Sequence, residues 1–149
     1  MLGFQRGVGL MSEKAVFSAE IQELHRILEW VRVRLAKKGM EAKAVHRIEL
    51  ASEEALVNVI SHGYAGRKGK VEIGLTWSTG HVEIVVRDWG PPFDPLANAP
   101  SVDPQASLED REMGGLGIFL MRQFMDELIY RREKDANVLI MIKRFSQTK

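Results

Sequence analysis

Three short stretches of this chain carry residue types suited to chemistry on a phosphate, a cation and an amine. Gly114-Gly115-Leu116-Gly117 opens a segment of helical period. Glycines there let backbone N–H groups approach an anion, and the helix dipole favours negative charge. Small turns before helices often contain glycine, and neither the lysine of a P-loop nor a GxGxxG after a first strand accompanies these. Asp88-Trp89-Gly90 stands where an alternating apolar segment stops. Its carboxylate can accept a hydrogen bond from an exocyclic amine while the glycine lets the chain pass a ligand; an ordinary strand-terminal turn reads the same way. Glu54, Asn58 and His62 follow at intervals of four, which stacks them on one ridge of a helix. The carboxylate can take a proton, and the neutral amide oxygen can ligate a hard cation such as Mg²⁺, whose other positions go to water and phosphates. Glu-x-x-x-Asn is common on solvated helices, so its weight comes from the other two stretches.

Positioning these groups requires elements that the periodicity supplies. Ile21, Leu24, Leu28, Val31 and Leu35 form one stripe of an amphipathic helix, with Ser18 as N-cap, Glu20 in the first turn, Lys37 and Lys38 at the negative end and Gly39 as terminator. A second helix is predicted from about Glu41 to His62, with Val45, Ile48, Ala55 and Val59 on its packing side and Gly63 as a left-handed cap. Val71 to Trp77 and Val82 to Val86 alternate around Ser78-Thr79-Gly80 and read as a hairpin. Leu128 to Arg132 and Val138 to Lys143, separated by Glu133 to Asn137, read as a second hairpin, and Glu13 to Phe17 as an extra strand. Gly114 to Met125 reads as a glycine-rich turn leading into a helix. Connections within each strand pair are too short for crossover helices. The expectation is therefore an α+β, two-layer sandwich: a mainly antiparallel, mixed sheet with about three helices on one face.

Composition narrows the function. The 149 residues hold 21 Lys+Arg against 20 Asp+Glu, a net charge of +1 that provides no field for gathering nucleic acid or coating an anionic membrane. Cysteine is absent, which excludes a disulfide scaffold, a thiolate metal site and a cysteine nucleophile, and agrees with a cytoplasmic setting. The longest apolar run, Val138 to Ile142, falls far short of a membrane span. Met1 to Leu10 carries no secretory h-region and reads as a poorly ordered extension, 1–11, before a domain at 12–149, with Met11 as an alternative start. Asp88 to Met113 contains all five prolines and no sustained periodicity, the signature of a lid; its expected extent is about 91–114.

In this order the three stretches resemble the nucleotide site of the GHKL ATPase superfamily, and with it the Bergerat ATP-binding fold. Glu54-Ala55-Leu56-Val57-Asn58-Val59-Ile60-Ser61-His62-Gly63-Tyr64 is similar to the asparagine box of the anti-sigma-factor serine/threonine kinases. Asp88-Trp89-Gly90-Pro91-Pro92-Phe93 resembles the first glycine box and Gly114 to Met121 the second, over a resemblance spanning about residues 12 to 145. The resemblance implies that Asn58 holds Mg²⁺ against the phosphates, Asp88 binds the adenine amino group and Gly90 lets the chain pass the base. It further implies that Gly114, Gly115, Leu116 and Gly117 form the phosphate turn, the last three offering N–H groups, and that Glu54 is the general base. His62 either touches the nucleotide side or is a surface or cap residue.

Two departures stand out. Pro92 replaces the usual second glycine of the first box, and Asp135-Ala136-Asn137-Val138 replaces a Gly-Thr before the last strand, leaving Asn137 as the stand-in for the missing hydroxyl. No helix with a phospho-acceptor histidine precedes the domain in these residues, so a histidine kinase, topoisomerase or chaperone is not expected. The resemblance implies instead an anti-sigma regulatory kinase with a sigma factor and a STAS-type anti-anti-sigma protein as partners, and it leaves homodimerisation open; separately, the exposed part of the first helix around Arg26 is the expected contact region. The alternative motivated by the two departures is an ATP-dependent interaction module without transfer. A plain α+β domain with structural glycines ranks last.

Overall fold

The computed structural model describes residues 11–65, 67–97 and 113–145, the side chains of 113–116 excepted. The extension Met1–Leu10 and most of the expected lid lie outside the described residues. Five strands, β1 (Met11–Ser18), β2 (Lys70–Ser78), β3 (His81–Asp88), β4 (Glu127–Glu133) and β5 (Ala136–Arg144), make one sheet in the order β1-β2-β3-β5-β4. Every neighbouring pair is antiparallel. The mixed component expected from the sequence is therefore absent among the described residues. Three helices, α1 (Leu24–Lys37), α2 (Ala42–Asn58) and α3 (Met113–Phe124), contribute with one sheet face to a single core.

Period-2 patterning fixes which face is covered. Val71, Ile73 and Leu75 of β2 and Val82, Ile84 and Val86 of β3 point toward the helices, each at most 2% exposed. Each such side chain contributes roughly 1.5–3 kcal/mol when fully buried. Gly80 at φ +86° turns β2 into β3, and Lys134 at φ +57° turns β4 into β5. The second hairpin is accordingly tighter than its sequence suggests: Ala136 and Asn137 belong to β5, and Asn137 pairs across the sheet with Asp88.

The helices also differ in detail from expectation. Ser18 ends β1 instead of capping a helix, and a 3₁₀ turn at Ile21–Glu23 precedes α1. That turn rotates Ile21 out of the stripe to 55% exposure, and Ile27 takes the buried place beside Leu28, Val31 and Leu35. Gly39 at φ +81° follows α1, as its position predicts. The second helix stops at Asn58 and continues as a π turn, Val59–Gly63, in which the Tyr64 N–H reaches the Val59 carbonyl at 2.9 Å. Gly63 is not left-handed; Ala65, at φ +53°, is. α2 packs against both α1 and α3 and also meets β3, so the helix carrying Glu54 and Asn58 is held from three sides.

Candidate functional site

Glu54 and Asn58 sit one turn apart on α2, but their surroundings differ. Asn58 closes the helix and is 7% exposed. Glu54 leans toward α3, where a Cβ on Gly117 would lie 2.7 Å from its Oε1. The carboxylate therefore occupies space that only a glycine leaves open. Burial pushes its carboxyl above the ordinary glutamate value of 4.5, and the Glu53 carboxylate adds to the rise.

The π turn sends the chain past the end of β3 instead of prolonging the ridge. A π turn closes i to i+5, so His62 is displaced from the row of Glu54 and Asn58. Its exposed ring stacks on Phe93, with centroids 6.2 Å apart and planes 19° apart. The next residues brace the Asp88 turn. Tyr64 accepts a hydrogen bond from the Trp89 N–H at 2.9 Å and donates to the Lys70 carbonyl at 2.7 Å. Its ring fills the place where a Gly69 side chain would stand, only 2.2 Å from an added Cβ. Gly90 is confined likewise: a Cβ there would lie 3.2 Å from Asp88 Oδ1 and 3.3 Å from the Gly63 carbonyl.

Asp88 is 4% exposed at the end of β3, and its Oδ1 accepts from the Gly90 N–H at 2.9 Å and from Asn137 Nδ2 at 3.0 Å. Asn58, Asp88, Phe93, Tyr130 and Asn137 line one small cavity over Val86. The lining is mainly apolar, and its carboxylate and carboxamide are the groups that could meet an amine and a hard cation. The second glycine stretch lies in helix from Met113, so Gly114, Gly115 and Leu116 occupy the first turn of α3 and do not form a turn before it. The first N–H groups of a helix have no intrahelical partner and are free for an anion.

The structure thus brings Asn58 and Asp88 to one cavity and Gly117 to Glu54, while His62 sits outside against Phe93. Sequence reasoning assigned no role to Tyr64 or Tyr130. The signal available for Tyr64 was the pair of glycines, Gly69 and Gly90, that make room around its ring. Among the described residues no trio of His, Cys, Asp or Glu gathers as a metal cage. The donor chemistry nevertheless suits Mg²⁺: an asparagine lining the cavity can offer a neutral amide oxygen to an ion that takes few protein oxygens and completes its shell with water and phosphates.

Comparison with known proteins agrees with this geometry. The chain is 30% identical over 115 residues to the serine/threonine-protein kinase BtrW of Bordetella bronchiseptica, covering 76% of this chain and 80% of the relative. It is 26% identical to the serine-protein kinase RsbW of Oceanobacillus iheyensis, over 73% of this chain and 70% of the relative. Among solved structures, the RsbU and RsbW domains of Rv1364c from Mycobacterium tuberculosis superpose with a TM-score of 0.66 at 18% identity, over 93% of this chain and 33% of that one. With residues 17–143 matching its pattern, the chain belongs to the histidine kinase-like ATPase domain family.

Proposed function

We propose that this protein is an ATP- and Mg²⁺-dependent protein serine/threonine kinase acting in partner switching in the cytoplasm. In one state it holds a sigma factor; in the other it transfers a phosphoryl group to a serine or threonine of a small STAS-type anti-anti-sigma protein. The observation that carries this reading is the placement of Glu54: a carboxylate on α2, raised above its ordinary pKa by burial, against Gly117 and one turn before Asn58.

ATP supplies the phosphoryl group when bound, and Mg²⁺ offsets its charge. Asp88 accepts a hydrogen bond from the adenine amine, and Gly90 keeps the base edge clear. Asn58 gives its amide oxygen to the cation. The free N–H groups at the start of α3, those of Gly114 and Gly115, face the phosphates, while Leu116 and Gly117 follow in the same helix with their N–H groups turned to carbonyls one turn back. Glu54 takes the proton from the substrate hydroxyl as that oxygen bonds to the γ-phosphorus and the bond from this phosphorus to the bridging oxygen breaks, with ADP leaving; a raised pKa brings a carboxylate base closer to the working pH. His62, through Phe93, borders the entrance on the nucleotide side. The exposed Arg26, tied to Glu23 at 2.8 Å, marks the α1 surface proposed to meet protein partners, and homodimerisation is part of the same reading.

Transfer of label from γ-³²P-ATP to a candidate anti-anti-sigma protein tests it. Glu54→Gln is expected to lower transfer by about a hundredfold or more while ATP still binds within a few fold. Unchanged transfer by that variant removes Glu54 from the mechanism.

A further inference from the structure

Asn137 stands where the resembled superfamily often has a threonine, and its carboxamide is used on every side. Nδ2 donates to Asp88 Oδ1 at 3.0 Å and to the Pro91 carbonyl at 2.9 Å. Oδ1 accepts from the Phe93 N–H at 3.0 Å and from the Tyr130 hydroxyl. The amide orientation is fixed by its neighbours, because the Phe93 N–H can only donate and the Pro91 carbonyl can only accept. A carboxamide has two N–H donors and two acceptor lone pairs, and here all four are engaged at a residue 4% exposed.

The consequence falls on Asp88. Its Oδ1 takes two bonds from the protein itself, from the Gly90 N–H and Asn137, and no donor from the described residues reaches Oδ2. One oxygen is committed, the carboxylate plane is set, and the other oxygen is left for a ligand. A carboxylate so held accepts from an exocyclic amine and opposes a ring carbonyl in the same place. The same side chain holds the backbone at Pro91 and Phe93, so the aim of Asp88 and the path of the chain beyond Gly90 are set together. A threonine hydroxyl has one proton and a shorter arm, and cannot hold both backbone groups and the carboxylate at once.

We propose that Asn137 is the positioning residue for base recognition in this protein: by clamping one oxygen of Asp88 it aims the other at the 6-amino group of a purine. The inference rests on the reading that Asp88 receives the adenine amine. Calorimetric titration with ATP and with purine riboside 5′-triphosphate, which lacks that amine, tests it. The wild-type protein is expected to prefer ATP by about tenfold or more, the worth of a hydrogen bond to a charged group. In Asn137→Ala the preference is expected to fall below about threefold, and in Tyr130→Phe, which removes one of the four bonds, to an intermediate value. Equal weakening of both nucleotides in Asn137→Ala, with the ratio kept, makes the residue structural only and overturns the proposal. If that variant does not fold, an unchanged ratio in Tyr130→Phe overturns it instead. A wild-type protein that binds the two nucleotides equally removes Asp88 from base recognition and this inference with it, whereas a wild-type preference that survives in Asn137→Ala refutes the role of Asn137 alone.

Discussion

Glu54 has to be ionised to accept a proton, yet it sits where ionisation is costly. Burial is the larger cause and Glu53 the smaller, and both raise the folded-state pKa above the ordinary value. Two pH effects of defined sign follow. With Glu54 as the proposed base, transfer needs the carboxylate, so its rate is expected to fall on acidification through the raised pKa, beginning at a higher pH than an unperturbed glutamate would give; the acid limb of the pH–rate profile checks this. Stability runs the other way. A carboxyl whose folded pKa is raised binds its proton more readily folded than unfolded, so its ionisation destabilises the fold above the folded pKa, and that penalty is absent below the unfolded one. Glu54→Gln is therefore expected to melt at or above the wild-type temperature at neutral pH, with the difference vanishing on acidification below the ordinary glutamate range. A variant less stable than wild type at neutral pH would show that the ionised carboxylate is stabilised by a partner, contrary to the desolvation argument.

Between elements, the close approach of α2 and α3 turns on Gly117. An alanine Cβ there would come within 2.7 Å of Glu54 Oε1, the mobile end of a side chain, so the fold can accept it by moving the carboxylate. Removing a glycine from a helix interior also contributes up to about 1 kcal/mol of stability. Gly117→Ala is expected to melt within a few degrees of wild type and to bind ATP. Its transfer rate should drop at least about tenfold, since a misplacement near 1 Å can cost a hundredfold; single-turnover labelling separates the two effects. The sequence showed Glu54 and Gly117 as candidates but not their contact, which requires α3 to pack on α2. Strands β2 and β3 and the buried stripes of α1 and α2 were legible because alternation and helical period are local signals. The π turn was not, because no residue type announces an i to i+5 bond, and it is this turn that takes His62 off the ridge and brings Tyr64 under Trp89. Asn137 read as a turn residue because asparagine and aspartate favour turns. Its place in β5 opposite Asp88 comes from the sheet register, which no local window contains. Glu54, Asn58 and Asp88 were legible by type and spacing, whereas the groups that orient Asp88 lie far from it in sequence: Tyr64 acts on the Trp89 N–H 25 residues away and Asn137 on Asp88 at 49.

At the scale of the molecule, the residues assigned to the nucleotide come from α2, the end of β3 and the start of α3, elements that meet only when the sheet and its helical layer are assembled. A ligand touching all three binds the folded chain and not the unfolded one, so it stabilises the whole cooperative unit by mass action. At a hundredfold excess over its dissociation constant the gain is about 2.7 kcal/mol. For a domain of this size each kcal/mol raises the melting temperature by about 3 °C, so Mg-ATP is expected to shift it by roughly 8 °C. The share owed to the metal is separable, because Asn58 is the one protein oxygen assigned to it. Asn58→Ala is expected to lose most of the difference between ATP with Mg²⁺ and ATP with EDTA while keeping the shift given by ATP alone. Asp88→Ala, acting on the base, is expected to lose the shift under both conditions. Thermal melts of the wild type and the two variants, each with and without metal, resolve these terms. An Asn58→Ala protein with an undiminished metal-dependent shift would place the cation on other ligands and leave the asparagine as a helix-end residue.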